Sequence, residues 1–195
     1  MNVVAKKDPE RGIDPRFGDW IQTVTGVRFY PCDPHADEVR IEDIAHALSN
    51  LCRFAGHTSH FYSVAQHSVL VSQIVPFEHA FWGLLHDATE AYLVDLPRPV
   101  KRSAFLEGYR QLEHRLEEVI AERFGLAQPI PEEVKRADLV LLATERRDLF
   151  SMRVGPWKTS ECVAPLEAVI YPWSPDIARD RFLRRFDEIV GRVPR

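Results

Sequence analysis

Apolar and polar residues alternate along WIQTVTGVRFYP, residues 20–31, on either side of Thr25-Gly26. That period of two, interrupted by a tight-turn pair, predicts a small β-hairpin. CDPHADEVR reads as a loop, and from Ile41 the period becomes helical. In IEDIAHALSNLCRF, Ile41, Ile44, Ala45, Leu48, Leu51 and Cys52 fall on one stripe, so a helix is expected over 41–54. AGHTSHF breaks it. Ser63 is placed to cap the next helix, with Gln66 in the capping-box position, and VAQHSVLVSQIV should end before Pro76.

Residues 77–93 read as one apolar helix ending in ionisable groups, and Pro97 and Pro99 then break the pattern. A long amphipathic helix follows from Glu107 to Phe124, with Gly125 as its C-cap. Pro131 suits the first turn of PEEVKRADLVLLATERRDLF. A loop with Pro156, Trp157, Pro165 and Pro172 covers 151–173, and a helix over about 175–191 closes the chain. No internal repeat appears. The expectation is an all-α bundle with a small N-terminal β-hairpin, organised as a single domain over 1–195. Residues 1–40 form an extension with the hairpin, 41–150 the helical core, and 151–195 a loop and closing helix.

A length of 195 residues permits a full hydrophobic core. The net charge of −4 gives no basic footprint for duplex nucleic acid. No apolar run approaches the ~20 residues of a membrane span, and MNVVAKKDPERG has no signal-peptide core, so a cytoplasmic protein is expected. Cys32, Cys52 and Cys162 form no Cys-x-x-Cys pair and suggest neither a zinc ribbon nor a disulfide framework.

The chemistry concentrates in HDATEAYLVDLPRPVKR. His86 and Asp87 are adjacent, and Glu90 follows at helical spacing on a helix whose preceding run, AFWGLL, is apolar. Buried charge needs a metal or a partner. His67, His86, Asp87 and Asp138, from three helices, make a ligand set for one divalent ion (Co, Mn, Mg, Ni, Fe or Zn), leaving positions for water and a substrate oxygen. Taken singly, each is also an ordinary polar position on a helix. Their joint placement at the heads or centres of apolar helices is what points to a metal.

The order H…HD…D resembles the HD-domain metal-dependent phosphohydrolases, and the long run is most similar to the bacterial 5'-deoxynucleotidases of that superfamily. HDATEAYLVDLPRPVK resembles their His-Asp-x-x-Glu…Asp-Leu-Pro-x-Pro-x-Lys run. SVAQHS, EGYRQLEHRLEE and RADLVLLA resemble, in order, the helix of the first metal His, a linking helix and the helix of the last metal Asp. The likeness covers about 48–149. It implies an HD-domain bundle, His67, His86, Asp87 and Asp138 as metal ligands, Glu90 near the attacking water and Asp95 beside the leaving oxygen. Arg53 matches an Arg that contacts the nucleotide. Phe54 stands where the family has Trp, the spacing from Arg53 to His67 is one residue tighter, GHT is inserted, and the hairpin is extra.

Around this set, His57 is a second pocket candidate, with His60 more plainly a loop residue. Lys101 reads equally as a phosphate contact or a solvated side chain. Glu145, Arg146, Arg147 and Asp148 read as solvent-facing charge pairs. Trp157, Tyr171 and Trp173 read as pins for their loop. Leu112, Leu116, Val119, Ile120 and Phe124 read as core or dimer surface. The expected activity is release of phosphate from deoxynucleoside 5'-monophosphates. A deoxynucleoside triphosphohydrolase is the rival within the class, a non-catalytic nucleotide sensor the rival outside it, and a helical adaptor would leave the ionic cluster unexplained. The amphipathic 107–124 helix and the oligomeric family imply a homodimer or higher homo-oligomer.

Overall fold

The computed structural model describes residues 16, 18–152, 154, 155, 157 and 163–192. Residues 1–15, Pro156 and Cys162 lie outside the described residues. The fold is all-α with a two-stranded hairpin. Strands β1 (Ile21–Gln22) and β2 (Arg28–Phe29) pair antiparallel, with Ile21 opposite Phe29. The turn between them is tied to the bundle: the backbone N–H and hydroxyl of Thr25 both donate to the buried Asp43 carboxylate, at 2.9 and 2.7 Å. Phe29 is fully buried and stacks on Tyr92 with ring centroids 3.9 Å apart.

Helix α1 spans Ile41–Asn50, α2 Val64–Ile74, α3 Ala80–Leu85, α4 Glu90–Leu93, α5 Arg98–Lys101, α6 Glu107–Phe124, α7 Glu132–Leu149 and α8 Pro175–Val190. α2 is the central helix, packed by α1, α3, α7 and α8. Ser63 caps it as the sequence predicts, accepting from the Gln66 N–H. The Gln66 side chain does not close the capping box. It bonds instead to the Tyr171 carbonyl and the Trp173 N–H, tying the late loop to α2.

α2 and α3 meet closely because residue 83 is glycine. A Cβ there would lie 2.8 Å from the Ser72 Cα. Gly125 closes α6 in the left-handed conformation, with the Leu126 N–H bonded to the Ala121 carbonyl.

Four expected elements differ. The 41–54 helix stops at Asn50, because Cys52 turns extended and pairs with Ser63; a 3-10 turn over Arg53–Gly56 follows, with Phe54 and Ala55 at positive φ. The 77–93 helix is divided. A 3-10 turn at Phe77–His79 precedes α3, and residues 86–89 wind tightly between α3 and α4, with the Ala88 N–H on Leu85 O and the Glu90 N–H on Asp87 O. The DLPRPVKR break contains the single-turn α5, since Pro97 and Pro99 stand where a first helical turn needs no N–H. Pro131 immediately precedes α7 rather than opening it.

The stripe of α6 is core: Leu116 and Ile120 are buried, and Val119 and Phe124 pack against the core. No helix among the described residues is long and apolar enough to cross a membrane.

Candidate metal centre

Three helical layers bring the predicted donors together. His67 projects from the centre of α2 and is fully buried. His86 and Asp87 lie in the tight turn after α3, and Asp138 lies on α7. His67 Nε2 is 3.2 Å from His86 Nε2, 3.3 Å from Asp138 Oδ1 and 3.5 Å from Asp87 Oδ2, and His86 Nε2 is 3.3 Å from the same Asp87 oxygen. Ligand atoms ~2.1 Å from one ion lie about 3 Å apart at right angles and about 3.4 Å apart at tetrahedral angles. His67, His86 and Asp87 therefore form a group that can hold a metal ion; Asp138 stands beside that group, 3.3 Å from His67 Nε2.

The imidazoles are turned for this. His67 Nδ1 donates to Glu145 Oε1 at 2.7 Å, and His86 Nδ1 donates to the Gly83 carbonyl at 2.9 Å. A carboxylate and a carbonyl only accept, so both Nδ1 atoms carry hydrogen and both Nε2 atoms face the cluster. With both Nδ1 atoms committed, the two Nε2 atoms facing each other at 3.2 Å need a proton or a metal ion between them.

Charge in the site is strongly biased. Burial and Arg53 oppose a charged His67, but Glu145 and Asp138 hold its pKa up to about 9. Burial also works against Asp87, yet His86, His67 and Arg53 keep its carboxyl well below the usual range. Against the same desolvation, the contact with His67 lowers Asp138 to about 2.

Glu90 behaves oppositely. Burial, then Asp87 and Asp95, push its carboxyl well above the ordinary value, and its Oε2 has no hydrogen-bond partner among the described residues. Tight 3-10-type winding aligns residues three apart, which places Glu90 over Asp87. Asp95 is also raised, by burial and then by Asp87 against the opposing pull of Arg53. It follows Val94, whose φ of 66° and ψ of 158° belong to a region other residues leave to glycine. The Tyr109 hydroxyl holds that bend from the Leu93 and Val94 carbonyls, both at 3.1 Å.

Arg53 reaches the cluster from the 3-10 turn. Its guanidinium lies 3.3 Å from Asp87 Oδ2 and 3.4 Å from Glu145 Oε2, while its buried Nε has no partner among the described residues. Phe54 turns outward at φ 55°, under the Arg53 guanidinium at 5.2 Å, with Phe150 and Trp157 at 5.3 and 5.6 Å. Trp157 thus pins its loop on Phe54 and Phe150, and Trp173 is partly buried under Arg181. Tyr171 is 75% exposed, and no ring contact of it is found among the described residues.

Two substrate candidates are placed otherwise than expected. His57 is exposed beyond the 3-10 turn and joins no contact of the cluster. Lys101 is ion-paired to Glu113 of α6, one layer out, although Glu90 and Asp87 still act on its charge.

The 145–148 run is corrected as well. Glu145 is completely buried and belongs to the site. Arg147 binds the Leu166 and Ala168 carbonyls and Asp148 accepts from the Ile170 N–H, so this pair fastens the late loop. Glu145 follows Asp138 by seven residues, two turns of one helix face, and that spacing is the signal that would have found it.

A separate cavity of about 330 Å³ lies between the hairpin, α1 and α4, lined by Val24, His46 and Tyr92 among others, and shares none of the candidate site residues.

The chain is 47% identical over 171 residues to YfdR of Escherichia coli (strain K12), an uncharacterized protein, in a match covering 87% of this chain and 95% of that one. This chain belongs to the YfdR family. A second member of the comparison, an uncharacterized protein of Rhodobacter capsulatus, is 39% identical over 127 residues, covering 60% of this chain and 64% of that protein. No protein-family model matches the chain. The YfdR match therefore carries kinship and no chemistry.

Proposed function

We propose that this YfdR-family protein is an HD-domain metal-dependent phosphohydrolase that releases inorganic phosphate from deoxynucleoside 5'-monophosphates. The observation that carries the reading is the convergence of His67 Nε2, His86 Nε2 and Asp87 Oδ2, with Asp138 Oδ1 against His67 Nε2 at 3.3 Å. The nucleotide as substrate class rests on the likeness of the run beginning at His86 to the 5'-deoxynucleotidases. Phe54, Phe150 and Trp157 beside Arg53 support it by offering an aromatic surface next to a cation.

Those four residues would hold a divalent ion, which when bound lowers the pKa of water and polarises a phosphoryl oxygen. Five acidic side chains, Asp87, Glu90, Asp95, Asp138 and Glu145, share the region with Arg53, an excess that favours a divalent cation. Arg53, beside Asp87 at the cluster, supplies the cation for a phosphate oxygen. Glu90, made more basic by burial, takes a proton from the attacking water as its oxygen bonds to phosphorus. The P–O5' bond breaks, and Asp95, in its protonated form, supplies the proton to the 5'-oxygen.

A triphosphohydrolase needs several cations for its longer anion. Here Arg53 is already ion-paired to Asp87 and Glu145, and Lys101 to Glu113, which favours the monophosphate. The test is release of phosphate, pyrophosphate and triphosphate across nucleotides with Mg, Mn, Co and Ni. Inorganic phosphate from deoxynucleoside monophosphates is expected. Triphosphate release would move the assignment to the rival hydrolase, and tight binding without turnover to a sensor.

A further inference from the structure

We infer that Glu145 is a positioning residue that sets both His67 and Arg53, so that metal uptake and recognition of an anionic substrate hang on one buried carboxylate. The inference rests on the metal-dependent reading above. Glu145 is fully buried on α7, where an unpaired carboxylate would be costly. Its two oxygens are divided between two partners: Oε1 lies 2.7 Å from His67 Nδ1, and Oε2 lies 3.4 Å from an Arg53 terminal nitrogen.

The first contact selects the His67 tautomer and turns Nε2 toward His86, Asp87 and Asp138. The second matters because Arg53 comes from a 3-10 turn with two left-handed residues after it, not from a helix that would fix it. Its other acidic contact is Asp87, which is also a metal donor. A carboxylate drawn toward a cation holds a guanidinium less firmly. Glu145 supplies Arg53 with an anchor that the metal does not compete for, and leaves Asp87 to the metal.

The two roles separate by substitution. In Glu145→Gln the amide oxygen still accepts from His67 Nδ1–H, while the NH₂ group can only oppose Arg53, donor against donor. In Glu145→Ala both contacts go. The experiment measures Co²⁺ affinity by calorimetry, then inorganic phosphate affinity of the Co²⁺-loaded protein, for wild type and both variants, with folding checked by circular dichroism.

Glu145→Ala is expected to lower Co²⁺ affinity 10–100-fold. Glu145→Gln should keep Co²⁺ affinity within about threefold and lose about tenfold in phosphate affinity, the scale of one charged hydrogen bond. Wild-type affinities for both ligands in both variants would overturn the inference, and so would equal losses of both ligands in the Gln protein. If the Ala protein does not fold, the Gln split decides alone. A wild-type protein that takes up no Co²⁺ overturns the metal reading itself, and this inference with it.

Discussion

Glu90 and His67 show how the same burial drives two ionisable groups apart. Glu90 has carboxylates as neighbours and no partner for Oε2, so desolvation dominates and its pKa rises. We expect Glu90→Gln to retain metal and to lose about 10²–10⁴-fold in kcat, the usual worth of general-base help. An unchanged rate at saturating metal would remove Glu90 from the reaction. His67 is held up to about 9 by Glu145 and Asp138 against desolvation. Its folded value lies above the ordinary ~6.5, so the pairing stabilises the metal-free fold fully below ~6.5 and is lost as pH rises through about 9. The Tm of metal-free protein should therefore decline across that window, and His67→Gln should flatten the slope. Metal affinity should run the other way, rising with pH there, because the ion and the proton compete for Nε2. Proton release measured during metal uptake checks this.

Among the elements, the α2–α3 contact controls the distance between the two imidazoles. His67 is on α2, His86 directly follows α3, and Gly83 lets the backbones approach until an added Cβ would meet Ser72 Cα at 2.8 Å. That obstacle is backbone, not a yielding side-chain tip. Gly83→Ala is expected to cost about 1–3 kcal/mol, the range for overpacking, and to lower metal affinity as the helices part. Denaturant unfolding with and without Co²⁺ checks both. Wild-type stability would mean that α3 shifts freely, which the Gly83 carbonyl's bond to His86 Nδ1 opposes. α6 acts on the same region from outside. Tyr109, Arg110 and Glu113 hold the 93–103 segment at the Val94 carbonyl, the Lys101 and Ser103 carbonyls, and the Lys101 ammonium. The linking helix is thus a clamp on the strand of chain that carries Asp95.

At the level of the whole molecule, the apolar surface left over is not on α6, whose stripe is absorbed into the core. Part of it lies on the segment clamped by α6: Val94 and Val100 are half exposed, and Phe105 is 96% exposed. A homodimer is expected in solution, with this segment at or near the contact. Light scattering should give twice the 22.5 kDa chain mass. Phe105→Ser should shift the equilibrium toward monomer. A monomer at micromolar and higher concentrations in the wild type would refute the dimer.

Local pattern carried much of this molecule. The hairpin about Thr25-Gly26, the Ser63 cap, the Gly125 stop and the long helices α6, α7 and α8 are written in periodicity and capping residues, because those signals act within one turn of the chain. The grouping of His67, His86 and Asp87 was also legible, as polar groups where an apolar helix makes bare charge costly. Tertiary structure alone decided where α1 stopped, since the Cys52–Ser63 pairing competes with helix propagation from outside the helix. It decided that 77–93 would divide, and it moved Lys101 onto Glu113 and left His57 in solvent. Above all it decided Glu145. In the sequence it stands among charges that read as a solvated face. In the fold it is the inner face of α7, opposite His67 of α2, and a carboxylate's role depends on which partner another helix brings within 3 Å.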